Sequence, residues 1–147
     1  MIEVKVYKVG DIQVTFDRGK SPEAFDAVVV ILFCSEKLVW VWNPERGWEF
    51  PGGHREGEET WKETAIREVL EEARIEIEKL EFLGNYIHDR GHVTLILSAD
   101  SAGSGMLDES EIPSGIKVMD GLPSELSFGD GREQLFLEMA RKARKQR

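Results

Sequence analysis

The chain has 147 residues, and its 28 acidic side chains outnumber the 19 basic ones to leave a formal charge of −9. That balance argues against a binder of duplex nucleic acid, which needs a basic stripe, but not against a polyphosphate substrate whose charge a metal ion offsets. The single cysteine, Cys34, excludes an internal disulfide, the opening MIEVKVYKVGD has no secretion-signal pattern, and no apolar run reaches the ~20 residues of a membrane span, so a cytoplasmic protein is expected. One domain covering residues 1–147 is the expectation, since a chain of this length can bury about 70% of its unfolded surface.

In chain order, Ile2, Val4 and Val6 alternate with polar neighbours and predict a half-buried strand, followed by a Gly10-Asp11 turn and a second alternating strand from Ile12 to Phe16. Asp17 to Phe25 reads as a loop, whose Arg18 and Lys20 are candidate phosphate contacts weighed against plain solvation. Ala27 to Phe33 is a continuous valine-rich run, the pattern of a central strand covered on both faces, with Cys34 a buried thiol at its end. In the next strand Leu38, Trp40 and Trp42 share one face. Trp40 reads as core, whereas Trp42 and Trp48 flank a turn and are candidates for stacking a nucleobase. Arg46 in that turn is placed to grip a phosphate.

Residues Gly53 to Ile75, GHREGEETWKETAIREVLEEARI, form the most informative stretch. Thr60 and Glu63 have capping-box spacing, and Trp61, Ala65, Ile66, Val69, Leu70 and Ala73 form an apolar stripe, so a core-packed helix over about residues 60–74 is expected. At about 100° per residue, Glu71 and Glu72 fall about 60° and 40° to either side of Glu68. Three carboxylates on one helical face repel one another unless a cation neutralises them. Oxygen-only ligands suit a hard divalent ion, Mg²⁺ or Mn²⁺, and Mg²⁺ with few protein carboxylates points to phosphate chemistry.

This stretch resembles the Nudix box. Gly53, Glu59, Arg67, Glu68, Val69, Glu71, Glu72 and Ile75 fall in its register, and Arg74 departs from it by standing where the family has glycine. The entry Trp48-Glu49-Phe50-Pro51-Gly52-Gly53 is similar to the family's as well. The resemblance implies an α/β fold, the Nudix α/β/α sandwich with a mixed sheet, with this helix and a C-terminal helix over about 131–146. It implies hydrolysis of a nucleoside diphosphate linked to a further group, with Mg²⁺ (or Mn²⁺) on Glu68, Glu71, Glu72 and the Gly52 carbonyl. Glu72 or a carboxylate from a later loop takes the proton, and Arg67 and Glu59 hold the ligands in place. Substrate contacts are expected from Arg46, Trp48, Trp42 and Gly53. Since left-handed backbone costs a non-glycine residue about 1 kcal/mol, Arg74 is expected to alter stability rather than metal binding.

Beyond the helix, Ile75 to Leu83 and Val93 to Ala99 read as strands around the turn His88-Asp89-Arg90-Gly91-His92. Two histidines across a hairpin turn make a poor zinc site; His54 and Arg55, just past the glycines, are candidates to lie near phosphate, weighed against a lone exposed histidine being incidental. Glu109 or Glu111, in an acidic loop, is a candidate extra catalytic carboxylate. Ile116 to Met119 is a last short strand. Leu135, Phe136, Met139, Ala140 and Ala143 give the terminal helix its core face, and its basic end complements the helix dipole. Within the family, Glu45 to Gly53, Leu83 to Tyr86 and Leu122 to Ser127 are most similar to small bacterial pyrophosphohydrolases that cleave nucleoside triphosphates of the 8-oxo-dGTP kind. ADP-ribose, diadenosine polyphosphates and 5′-triphosphate RNA are the competing substrates, and an inactive nucleotide-binding module is the competing class. The expected partner is a small-molecule nucleotide, with no membrane or nucleic acid, and the protein a monomer or homodimer.

Overall fold

The computed structural model describes residues 4–19, 21–103 and 112–146. Lys20, Glu109 and Glu111 therefore lie outside the described residues. Gly10 turns β1 (Lys5–Val9) into β2 (Ile12–Phe16), and a 3-10 turn at Asp89–Gly91 joins β7 (Ile77–His88) to β8 (His92–Ser101). β3 (Ala27–Cys34) and β4 (Lys37–Asn43) follow the chain, then the short β5 (Gly47–Glu49) and β6 (Gly52–His54), and β9 (Ile116–Met119) comes late. Among the described residues the sheet runs β1-β2-β7-β8-β3-β4-β5, with β6 also on β3 and β9 also on β4. β3 and β8 are parallel and the other strand pairs antiparallel, which makes the sheet mixed.

The valine-rich run becomes the strand covered on both faces. Val28, Val30, Leu32 and Cys34 face α1 (Trp61–Ala73) through Ala65, Val69 and Ala73. Ile31 and Phe33 face the other way, onto α2 (Arg132–Lys145) and its Phe136, Leu137, Met139, Ala140 and Ala143. This is the expected α/β/α sandwich, and both helices lie within a residue of their expected ends. Trp40 is fully buried, stacked on Phe50 at 4.2 Å between centroids, and its indole N–H donates to the Gly121 carbonyl at 3.2 Å.

Two expectations need correction. Ile66 and Leu70 are not core: they are 50% and 47% exposed. The small side chains of Ala65 and Ala73 and the buried Thr64 bring α1 close to the sheet along a narrow line, which leaves residues one helical step around on the flank. Ile2 lies outside the described residues; the first strand runs from Lys5, and Val4 and Val6 are exposed, because among the described residues β1 is an edge strand paired to β2 alone, while α2 packs over β3, β7 and β8.

Arg74 takes the left-handed conformation at the end of α1, φ 57° and ψ 34°, and its N–H donates to the Leu70 carbonyl at 3.0 Å. The helix therefore ends as a glycine would end it, with a side chain that carries the strain. Arg74→Gly should raise stability by about 0.5–1 kcal/mol, the relief of strain outweighing the added freedom of the unfolded chain. An unchanged or lower urea midpoint would show that the Arg74 side chain offsets the strain through contacts of its own.

Candidate active site

The start of α1 builds the site. Thr60 caps the helix by accepting from the Glu63 N–H at 3.2 Å, while Glu63 accepts from the Thr60 N–H at 2.9 Å. Just before the cap, Glu59 is fixed by the Glu56 N–H (2.9 Å) and the Thr64 hydroxyl (3.1 Å), so its carboxylate meets Arg67 two turns along. Arg67 Nε and Nη2 donate to the two Glu59 oxygens at 2.8 and 2.9 Å, a forked pair. Arg67 also donates to Glu68 Oε1 at 2.9 Å, to Glu71 Oε2 at 3.3 Å and to the His54 carbonyl at 2.9 Å. The forked bond holds Glu59 down to about 2, with the Glu56 N–H helping, and raises the pKa of the guanidinium.

Glu72 is tied to β6 rather than to Arg67. Its Oε1 accepts the Gly52 N–H at 2.8 Å. Burial pushes its pKa up to about 7 against the pull of that N–H, and Glu68, Glu49 and Glu71 add repulsion. Gly53 lets the Glu68 carboxylate press against the β6 backbone: a Cβ there would lie 2.3 Å from the Glu68 carboxyl carbon and push the carboxylate aside. Among the described residues no three acidic or histidine side chains already converge in ligand geometry, because Arg67 and the Gly52 N–H hold the carboxylates instead. The donor set still suits a hard divalent ion. It is all oxygen, it is pressed against a glycine backbone, and the Gly52 carbonyl shares a strand edge with the N–H that reaches Glu72.

Beside the two glycines opens a cleft of about 560 Å³, within the range of nucleotide-sized sites. Arg46 and Glu49 line it near the glycines and pair with each other at 3.1 Å. Phe50, Tyr86, Phe128 and Phe136 line it with aromatic rings. The strap after β9 sets Phe128 in place, for the Trp48 N–H donates to the Glu125 carbonyl and the Ser127 N–H to the Trp48 carbonyl, both at 2.8 Å.

The model of the NUDIX domain matches residues 24–118, nearly two thirds of the chain and all of the carboxylate site. The chain belongs to the NUDIX family. The Bacillus subtilis (strain 168) protein YtkD, provisionally described as an 8-oxo-dGTP diphosphatase, is 36% identical over 86 residues, 58% of this chain and 54% of that protein. The chain thus spans about half the length of that relative. The Bacillus subtilis pyrophosphohydrolase BsRppH superposes with a TM-score of 0.76 at 26% identity, over 95% of this chain and 97% of that one. An ADP-ribose pyrophosphatase from Streptococcus suis 89-1591 shares the fold alone, at 18% identity and a TM-score of 0.55, over 80% of this chain and 90% of that one. No helix among the described residues is long and apolar enough to cross a membrane.

Against this NUDIX scaffold the expected site residues divide. Glu59, Arg67, Glu68 and Glu71 form one bonded cluster, joined through Gly53 and Gly52 to Glu72 and to the cleft. Gly52, Gly53 and Arg46 line the cleft. Trp42 and Trp48 do not: they pack edge to face on each other at 5.2 Å, and Lys117 sits 4.5 Å over Trp48. Arg18 is held by Glu81 at 2.9 Å and Gln146 at 2.8 Å, and Arg55 donates to the Glu59 carbonyl and stacks on Phe25, so both are engaged away from the cleft.

The structure also adds residues. His54, His88 and His92, all the histidines of the chain, meet on one wall of the cleft, with His92 5.5 Å from His54 and 4.5 Å from His88 between ring centroids. Burial first, then the neighbouring His88, lowers the pKa of His92. Glu133 is the other addition. Its position in the first turn of α2 is where any helix welcomes an acidic residue, so nothing in the pattern separates it from a surface glutamate.

Proposed function

We propose that the chain is a divalent-cation-dependent nucleotide pyrophosphohydrolase that cleaves a (d)NTP to the monophosphate and pyrophosphate, with oxidised dGTP as its leading substrate. The observation that carries this reading is the Arg67-organised carboxylate cluster pressed against Gly52 and Gly53, at the side of a cleft of nucleotide size. The likeness to YtkD and BsRppH supports the choice of phosphoanhydride.

In this reading Glu68, Glu71, Glu72 and the Gly52 carbonyl hold the ion. When bound, the ion polarises the phosphoanhydride and lowers the pKa of the attacking water. Glu72, whose Oε1 accepts the Gly52 N–H, would receive the water's proton on its other oxygen. Arg67 and Glu59 fix the carboxylates, and Arg46 turns from Glu49 to a substrate phosphate. A NUDIX-fold nucleotide sensor without turnover is the competing class. Its one support in the sequence is Arg74, and Arg74 ends α1 after the carboxylates without breaking the helix that carries them.

The test is incubation with Mg²⁺ and a panel of ordinary and oxidised (d)NTPs, ADP-ribose, diadenosine polyphosphates and 5′-triphosphate RNA, with products separated by chromatography. Monophosphate plus pyrophosphate from a (d)NTP is expected. AMP from ADP-ribose would move the protein to sugar nucleotides, and no product from any of them, despite Mg²⁺-dependent binding, would leave the sensor.

A further inference from the structure

Glu133 is buried at 2% exposure in the cleft wall, yet half of its carboxylate has nothing to do. Its Oε2 accepts the Phe128 N–H at 3.0 Å, while its Oε1 is buried and has no hydrogen-bond partner. A buried acceptor left unpaired costs about 1–3 kcal/mol, so such an atom in a cleft wall signals an absent donor. The nearby cations are engaged elsewhere. Arg132 donates to Asp130 at 2.7 Å and to Asp11 at 3.3 Å and stacks on the Phe128 ring at 3.9 Å, and Arg46 pairs with Glu49. The positive end of α2 supports the carboxylate, and the left-handed Gly131 at the cap brings no side chain to compete for the space. Phe128, Tyr86 and Phe136 line the same cleft, Tyr86 and Phe136 stacked on each other with 5.6 Å between centroids, so the cleft that Glu133 lines is walled by aromatic rings.

We infer that Glu133 is a specificity-determining residue that reads the substrate's base, with Oε1 accepting the adjacent N–H donors of a guanine-type edge. This rests on the nucleotide reading above and names the base. Guanine presents its N1–H and its 2-amino group side by side, both donors, and 8-oxoguanine keeps both. Adenine places the N1 lone pair beside its 6-amino group, so a carboxylate that accepts one would repel the other. Hypoxanthine retains N1–H and lacks the amino group. A buried acceptor discriminates strongly, because the wrong base leaves it unpaired.

The experiment is equilibrium binding, in Mg²⁺, of the α,β-methylene analogues of GTP, ITP and ATP to wild type and to Glu133→Gln. Wild type should bind the guanine analogue about 100-fold more tightly than the adenine one, with hypoxanthine between. In Glu133→Gln the side-chain carbonyl must still accept from Phe128, which turns the amide NH₂ toward the base. The guanine preference should then vanish or reverse, with the melting temperature confirming the fold. Equal wild-type affinity for the three analogues, which needs no variant to detect, overturns the inference, as does an equal loss for all three in the variant. Base-selective binding without turnover of any nucleotide keeps Glu133 and sinks the hydrolase reading. Turnover without base selectivity does the reverse, and no binding at all overturns both.

Discussion

Glu72→Gln should lower turnover by about 10²–10⁴-fold and yet raise the melting temperature of the metal-free protein above neutral pH. The loss follows from its place: it faces the Gly52 backbone within the carboxylate cluster, and an amide neither binds a hard cation well nor takes a proton. The gain follows from the cost of that place. The carboxyl's pKa rises from 4.5 to about 7 on folding, so its contribution to stability is complete below about pH 4.5 and is lost as the pH rises through about 7. Above that, the metal-free protein holds a charge it disfavours, beside Glu68, Glu49 and Glu71. Because the side chain is still partly open to water, the relief should be only about 1 kcal/mol, or about 3 °C. The glutamine still accepts the Gly52 N–H, so little opposes this gain. Thermal melts in EDTA at pH 5 and pH 8 check it, with the difference between the proteins expected only at pH 8. A variant less stable than wild type at pH 8 would mean that the carboxylate's bond to Gly52 outweighs its desolvation. Added Mg²⁺ should reverse the order, because wild type gains a bound cation that the variant holds poorly.

The stability of one charge and the chemistry of its neighbours are coupled here, which explains what the sequence made legible. The α1 face was readable because a helix has a fixed pitch, and Glu68, Glu71 and Glu72 cannot leave its face. The capping box at Thr60 and Glu63 and the two-sided burial of β3 were readable for the same reason, since local geometry decides them. Ile66 and Leu70 were misread because an apolar stripe says which residues avoid water on average, while the sheet touches only the line that Thr64, Ala65, Val69 and Ala73 present. Trp42 and Trp48 flank the box entry in sequence, but antiparallel pairing of β4 with β5 sets them against each other. The cleft's remaining wall comes from Tyr86, His88 and His92 on the β7–β8 hairpin and from Phe128, Arg132 and Glu133 at the start of α2. Only the topology brings those segments to β6. No spacing pattern marks them, and the unpartnered Glu133 oxygen is visible only once its neighbours are in place.

Arg67→Ala should loosen the whole carboxylate cluster, lowering kcat/KM by about 100-fold and making the fold depend on a divalent cation. Among the described residues Arg67 is the one cation bonded at once to Glu59, Glu68 and Glu71, with Glu56 at 3.5 Å, and it ties them to the His54 carbonyl on β6. Like charges at about 4 Å repel by on the order of 1–4 kcal/mol between the limits of water and a protein surface, so without Arg67 the carboxylates should separate and Glu68 should leave Gly53. The melting temperature in EDTA should fall, and Mg²⁺ should restore more of it in the variant than in wild type, because the ion then takes over the neutralising role. The pH dependence gives an independent check. Glu59 titrates from 4.5 in the unfolded chain to about 2 in the fold, so the pair's contribution is complete above about pH 4.5 and fades as the pH falls toward 2. The gap between wild type and variant should accordingly narrow in acid. A gap that stays constant from pH 7 to pH 3 would assign Arg67 a packing role, and unchanged kcat/KM would remove it from the machinery that positions the carboxylates.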